Sequence, residues 1–122
     1  DLESFQEVQN SMNVLGISRD DQLSILKVVS GILLLGNLEF LSSSVHIDGE
    51  ASLVSIDQLN IIADMLGLNQ NELTRCLTSR SFGVRSIVTC IYTVQQASDA
   101  RDAFAKKLYS LLFDWLIDAI NQ

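Results

Sequence analysis

Apolar residues recur along this chain mostly at helical spacing. Leu2, Phe5, Val8, Met12 and Leu15 fall three or four positions apart, which predicts a first helix closed by Gly16. Ser18 stands where an N-cap is wanted. Asp20 and Asp21 follow in the first turn, where carboxylates complement the helix dipole. The second helix carries Leu23, Ile25, Leu26, Val28, Val29, Ile32, Leu33 and Leu35. It is apolar on nearly every side, so it is expected at the centre of a helical core, ending at Gly36-Asn37.

The period then changes. Leu38-Glu39-Phe40 and, past a serine run, Val45-His46-Ile47 alternate in polarity, which predicts a small hairpin or bulging loop with a turn at Gly49. Helical spacing returns with Ile56, Leu59, Ile62, Ala63 and Leu66, capped by Ser55 and closed by Gly67. Asn69 with Glu72 three residues on makes a capping-box pattern for a short fourth helix ending near Thr78. The stretch SFGVRSIVTCIYT, Ser81 to Thr93, is rich in β-formers around Gly83 and predicts a hairpin-like surface loop. Thr93 and Gln96 repeat the capping-box pattern ahead of a long helix, 94–121. There is no proline, no internal repeat and no low-complexity tract. Residues 1–122 therefore read as one mainly α unit with short β-hairpin-like loops.

Composition sharpens this picture at one point. With 48% hydrophobic residues and a mean hydropathy of +0.26 in 122 residues, the chain can bury a core and still keep apolar surface. The last helix carries much of it. Its start, Asp99, Arg101, Asp102 and Lys106, is expected near solvent. Its apolar end, Leu111, Leu112, Trp115, Leu116 and Ile120, is expected to pack on Leu26, Val29 and Leu33, with a stripe left for another partner.

The net charge of −7 argues against nucleic-acid backbones and anionic membrane surfaces. The apolar run Ile25 to Leu35 is broken by Lys27, Ser30 and Gly31, so it reads as a buried helix and not a membrane span. The acidic start DLESFQEVQN is no signal peptide. Two cysteines, Cys76 and Cys90, make no disulfide framework. With no Asn-x-Ser/Thr acceptor, they suit a reducing, intracellular setting as buried thiols.

No GxxxxGK[ST] phosphate loop, HExxH, CxxC or EF-hand loop occurs. His46 is the single histidine, so any histidine-based triad would rest on it, and it reads as a solvated loop residue. The Asp20/Asp21 pair reads as helix capping and not as paired catalytic carboxylates. Taken alone, the residues give a helical domain with an apolar face and no catalytic constellation. An independent helical module that binds another protein's helix is one reading of that pattern.

A second reading comes from longer motifs. DARDAFAKKLYSLLFDWLIDAIN (Asp99 to Asn121), ILKVVSGILLLGNLEF (Ile25 to Phe40) and LESFQEVQNSMNVLGISRDDQ (Leu2 to Gln22) resemble, in order, segments of the myosin motor head. ADMLGLNQNELTRCLTSR (Ala63 to Arg80) fits between them. Leu34 stands where the family commonly has His, and Phe104 where it has Leu, both apolar replacements within a helix. The resemblance places residues 1–122 in the family's upper fifty-kilodalton subdomain, a helical part of a larger P-loop motor head. It implies an actin-based motor hydrolysing ATP with Mg²⁺, whose phosphate loop and switches lie outside this stretch. It also implies an actin filament, the remainder of the head, and a light chain or calmodulin on the lever as partners, in the cytoplasm at the cytoskeleton.

The same resemblance makes the loop 80–93 an actin-facing surface loop. The family has a regulatory position sixteen residues before the Asp of its DALAK motif, here Asp102 of DAFAK, which selects Ser86. The family carries an acidic residue or a phosphorylatable Ser/Thr there, so Ser86 implies control by a kinase. Arg80 and Arg85 are either pairs for acidic residues on actin or solvated charges. Phe82 and Val84 are either apolar contacts to the partner or a small loop core.

Overall fold

The structure is a computed structural model that describes residues 1–42 and 50–121. The helices are α1 (Leu2–Val14), α2 (Arg19–Gly36), α3 (Ile56–Leu66), α4 (Gln70–Thr78) and α5 (Val94–Ile120). Strands β1 (Phe40–Ser42) and β2 (Ala51–Leu53) pair antiparallel, as do β3 (Ser79–Phe82) and β4 (Val88–Ile91). The mainly α expectation holds.

Local chemistry explains the boundaries. The Ser18, Ser55, Asn69 and Thr93 side chains each accept a backbone N–H bond three residues on, at Asp21, Gln58, Glu72 and Gln96. At Thr93 the box is reciprocal, because Gln96 Oε1 accepts from the Thr93 N–H at 3.0 Å. Gly67 ends α3 in the left-handed region at φ 69°, where a side chain would be strained.

Leu35, Leu38, Leu59, Ile62 and Leu77 are the largest fully buried side chains, and Ala97 anchors the start of α5 among them. Each large side chain withdrawn this way contributes about 1.5–3 kcal/mol of transfer free energy. Gly31 lets α2 meet α3 closely, since a Cβ there would stand 2.8 Å from Leu66 Cδ2. A smaller cluster joins Met12, Ile17 and Ile25 to Val29, Leu112 and Leu116. Gln22 is buried between α1 and α2. Its Nε2 donates to Asn13 Oδ1 and to the Ile17 carbonyl, both at 2.8 Å.

Several expectations of packing and pairing need correction. Helix α2 is not enclosed on all sides: Leu23 is exposed and Leu33 is 67% exposed. Its buried residues are Gln22 and Ile25, turned toward α1 and α5, and Gly31 and Leu35, turned toward α3 and the main core. Accordingly Leu112 and Leu116 pack toward Ile25 and Val29, whereas Leu33 and Leu111 stay outside. The strand that pairs with β1 is Ala51–Leu53, and Val45-His46-Ile47 with Gly49 lies outside the described residues. Finally, Cys76 is exposed and Cys90 half-buried, so neither is a core thiol.

Candidate functional site

The hairpin β3–β4 grows from a fixed foot. Helix α4 ends where Thr78 and Ser79 turn their hydroxyls back onto the Thr74 and Arg75 carbonyls, at 2.7 and 2.8 Å. Such local bonds compete with further helix and favour a stop. The Thr78 carbonyl then accepts from the Tyr92 N–H at 2.7 Å, closing the base of the hairpin. The Ala51 N–H donates to the Tyr92 carbonyl at 2.8 Å, and Glu50 bridges Thr93, so β2 braces the same point. Tyr92 and Val94 pack on the main core.

Above that foot the register is Ser79↔Ile91, Arg80↔Cys90, Ser81↔Thr89 and Phe82↔Val88. Alternation puts Arg80, Phe82, Val88 and Cys90 on one face. There the Arg80 guanidinium carbon lies 5.7 Å from the Phe82 ring centroid, a cation–π contact. On the other face the Ser81 and Thr89 hydroxyls meet at 3.3 Å.

The tip runs from Gly83 to Ile87. Gly83 sits at φ 123°, and a Cβ there would run into the Ser86 carbonyl oxygen. Glycine is therefore what lets the tip close and sets where Ser86 stands. Every residue from Ser81 to Thr89 is exposed. Val84 is at 104% relative exposure, so it belongs to no loop core, and Phe82 is half-covered at most. Ile87, Val88 and Ile91 add further exposed apolar side chains to the hairpin.

The sequence-selected residues thus fall into two groups. Arg80 and Phe82 are in contact on the strand, while Val84, Arg85 and Ser86 occupy the free tip. A further feature was missed. From Leu73 to Ser98 the chain holds Arg75, Arg80 and Arg85 and not one Asp or Glu, although the whole chain carries −7. Counting acids by segment would have revealed it. Arg75, on the last turn of α4, and Arg80 line one groove of about 440 Å³ with Glu72, Cys76, Ser79 and Ser81.

A helix crossing of the membrane is not indicated: among the described residues no helix is long and apolar enough. The family model "Myosin head (motor domain)" matches residues 1–122. The chain is 37% identical to Myosin-1 of Arabidopsis thaliana across all of its own length and 10% of that protein. It is 38% identical to unconventional myosin-Ia of Mus musculus, again over its whole length and 12% of the relative. It is 37% identical to unconventional myosin-XV of Homo sapiens over 99% of its length and 4% of the relative. The chain therefore spans about a tenth or less of these relatives, and it belongs to the myosin head family.

Proposed function

We propose that this stretch is the upper subdomain framework of an actin-based, ATP-driven motor head, and that the β3–β4 hairpin is its actin-contacting, regulated loop. The observation that carries the reading is the hairpin itself: nine consecutive exposed residues, Ser81 to Thr89, held on a foot bonded to α4, β2 and α5. Such a ribbon offers apolar contacts through Phe82 and Val84 and charge through Arg80 and Arg85. Its binding surface is pre-organised, which limits the ordering entropy lost on association.

Ser86 is the regulatory position on this reading. Phosphorylation adds about −1.5 to −2 charges and strong acceptor oxygens. Placed at the free tip, that charge attracts Lys or Arg of the partner and raises the association rate. The residues present do not fit a nucleotide–Mg²⁺ site. The sequence has no phosphate loop, and among the described residues no three His, Cys, Asp or Glu side chains converge. On this reading ATP and Mg²⁺ are bound by other parts of the motor chain, as are the light chain or calmodulin by its lever. A cytoplasmic, cytoskeletal location follows from the same reading. The exposed apolar stripe of α5, with Tyr109, Phe113 and Ile117, is covered on this reading by the rest of the head and not by an unrelated protein.

The test is actin-activated ATPase of the full-length motor. Ser86→Glu is expected to exceed Ser86→Ala, and equal activities would remove the regulatory role.

A further inference from the structure

We infer that the outer edge of β4 is an interface through which two copies of this chain pair their hairpins antiparallel, making one four-stranded sheet with Cys90 opposite Cys90. The inference does not depend on what the hairpin's tip binds.

The backbone decides the chemistry of the occupant. Among the described residues this sheet holds only β3 and β4, so one side of β4 has no neighbouring strand. The Tyr92 N–H bonds to the Thr78 carbonyl, in the same register as the β3–β4 pairs. By the alternation of an antiparallel ladder, Val88 and Cys90 turn their backbone groups toward β3, and Thr89 and Ile91 turn theirs outward. Donors and acceptors at that spacing fit an extended strand.

Exposed edges are usually guarded by charge, proline or a covering element. β3 is guarded: it carries Arg80, and α4 packs beside it. β4 is not. From Ser86 to Ser98 there is no charge, no proline and no glycine. Ile87, Val88, Thr89 and Ile91 are β-branched and exposed, the composition that favours pairing.

The ends of the hairpin select a second copy. Pairing Thr89 of each copy with Ile91 of the other uses every outward backbone group of β4 and sets Cys90 on the twofold axis. Ile87 of one copy then faces Thr93 of the other. Glu50 bridges Thr93, so the Arg85 tip of each copy comes to the Glu50 foot of the other. Both side chains are exposed, and among the described residues neither makes an ion pair. Symmetry repeats this opposite-charge contact twice. Parallel pairing would instead set Arg85 beside Arg85 at about 5 Å. The antiparallel arrangement holds the two about 30 Å apart, several Debye lengths.

The experiment is crosslinking of the full-length motor, without filaments, by a short thiol-to-thiol bismaleimide, with the joined peptides identified by mass spectrometry. Cys76 is exposed and lies outside the interface, so its self-linked peptide measures random collision. The Cys90–Cys90 peptide is expected well above that level, since a pair on the axis has Cα atoms about 4.5 Å apart. Thr89→Pro removes one outward N–H from each copy at a position where an edge strand tolerates proline. Its yield is expected to fall about tenfold. Thr89→Val loses the hydroxyl contact with Ser81 but keeps the N–H, and its yield is expected to match wild type. Arg85→Glu should lower the yield, and Glu50→Arg added to it should restore it. A Cys90–Cys90 yield no higher than that of Cys76, an equal yield in Thr89→Pro, or no rescue by the charge exchange would each overturn the pairing.

Discussion

The Arg101 guanidinium donates through Nη1 to the Leu38 carbonyl oxygen at 2.7 Å, across 63 positions of sequence. Its Nε and Nη2 both reach Asp102 Oδ1 at 2.9 Å, which holds the group in place. Leu38 is fully buried where the chain leaves α2 for β1, so its carbonyl has no access to another helix turn. A charged donor from α5 satisfies it. The expectation that Arg101 sits in solvent at the start of α5 is corrected here: its side chain is only 18% exposed.

Arg101→Ala should loosen the junction of α5 with β1. A hydrogen bond to a charged group contributes about 1.5–3 kcal/mol, and the orphaned carbonyl adds to the loss. Hydrogen exchange at the amides of Phe40–Ser42 and Ala51–Leu53 is the readout, and unchanged protection would refute the role. Arg101→Lys should recover part of it, having one ammonium in place of a fork.

Gly31→Ala should report on the α2–α3 approach. Ala gains about 1 kcal/mol of helix propensity over Gly, but its Cβ meets Leu66 Cδ2 at 2.8 Å. The two effects oppose, so the single substitution should be neutral or mildly destabilising. In a Leu66→Ala background the clash disappears and Gly31→Ala should stabilise. A double-mutant cycle by thermal unfolding measures the difference, and zero coupling would contradict the packing.

Gly83→Ala should distort the hairpin tip, because the left-handed φ and the Ser86 carbonyl both exclude a side chain. Strain of this kind costs about 1–3 kcal/mol. A kinase that modifies Ser86 in the wild-type motor should do so more slowly in the variant, and phosphate incorporation over time would reveal it. Equal rates would mean the tip does not set how Ser86 is presented.

The isolated chain should self-associate. Tyr109, Phe113, Trp115 and Ile117 leave a broad apolar band along α5, with Leu2 and Val8 exposed on α1. Exposed apolar area of that extent seeks a partner. Sedimentation velocity should show oligomers that shrink on Phe113→Glu with Ile117→Lys. A monomer that melts sharply at high temperature would count against the expectation.

Helix limits were legible because caps are local. Ser18, Ser55, Asn69 and Thr93 each satisfy a backbone donor three residues away, and that geometry needs no tertiary partner. The β3–β4 hairpin was legible for a similar reason, with β-formers flanking Gly83. What escaped was long-range. The pairing of β1 with Ala51–Leu53 depends on a foot that includes Tyr92. Which side of α2 is buried depends on where α3 and α5 lie, and a helix with apolar residues on nearly every side carries little mark of that choice. The inward turn of Arg101 had no sequence signal at all, because the carbonyl it satisfies is 63 residues away.

Thr93 begins α5 two residues after β4 ends, with Tyr92 bonded to Thr78 between them. Hairpin and helix are thus continuous through one pinned joint. The helix is 27 residues long, so it extends about 40 Å from that joint. A tilt of about 10° about Tyr92 would sweep its far end, at Ile120, through about 7 Å. The tip at Val84 and the far end of α5 at Ile120 are thus two ends of one continuous segment that shares a single fixed point.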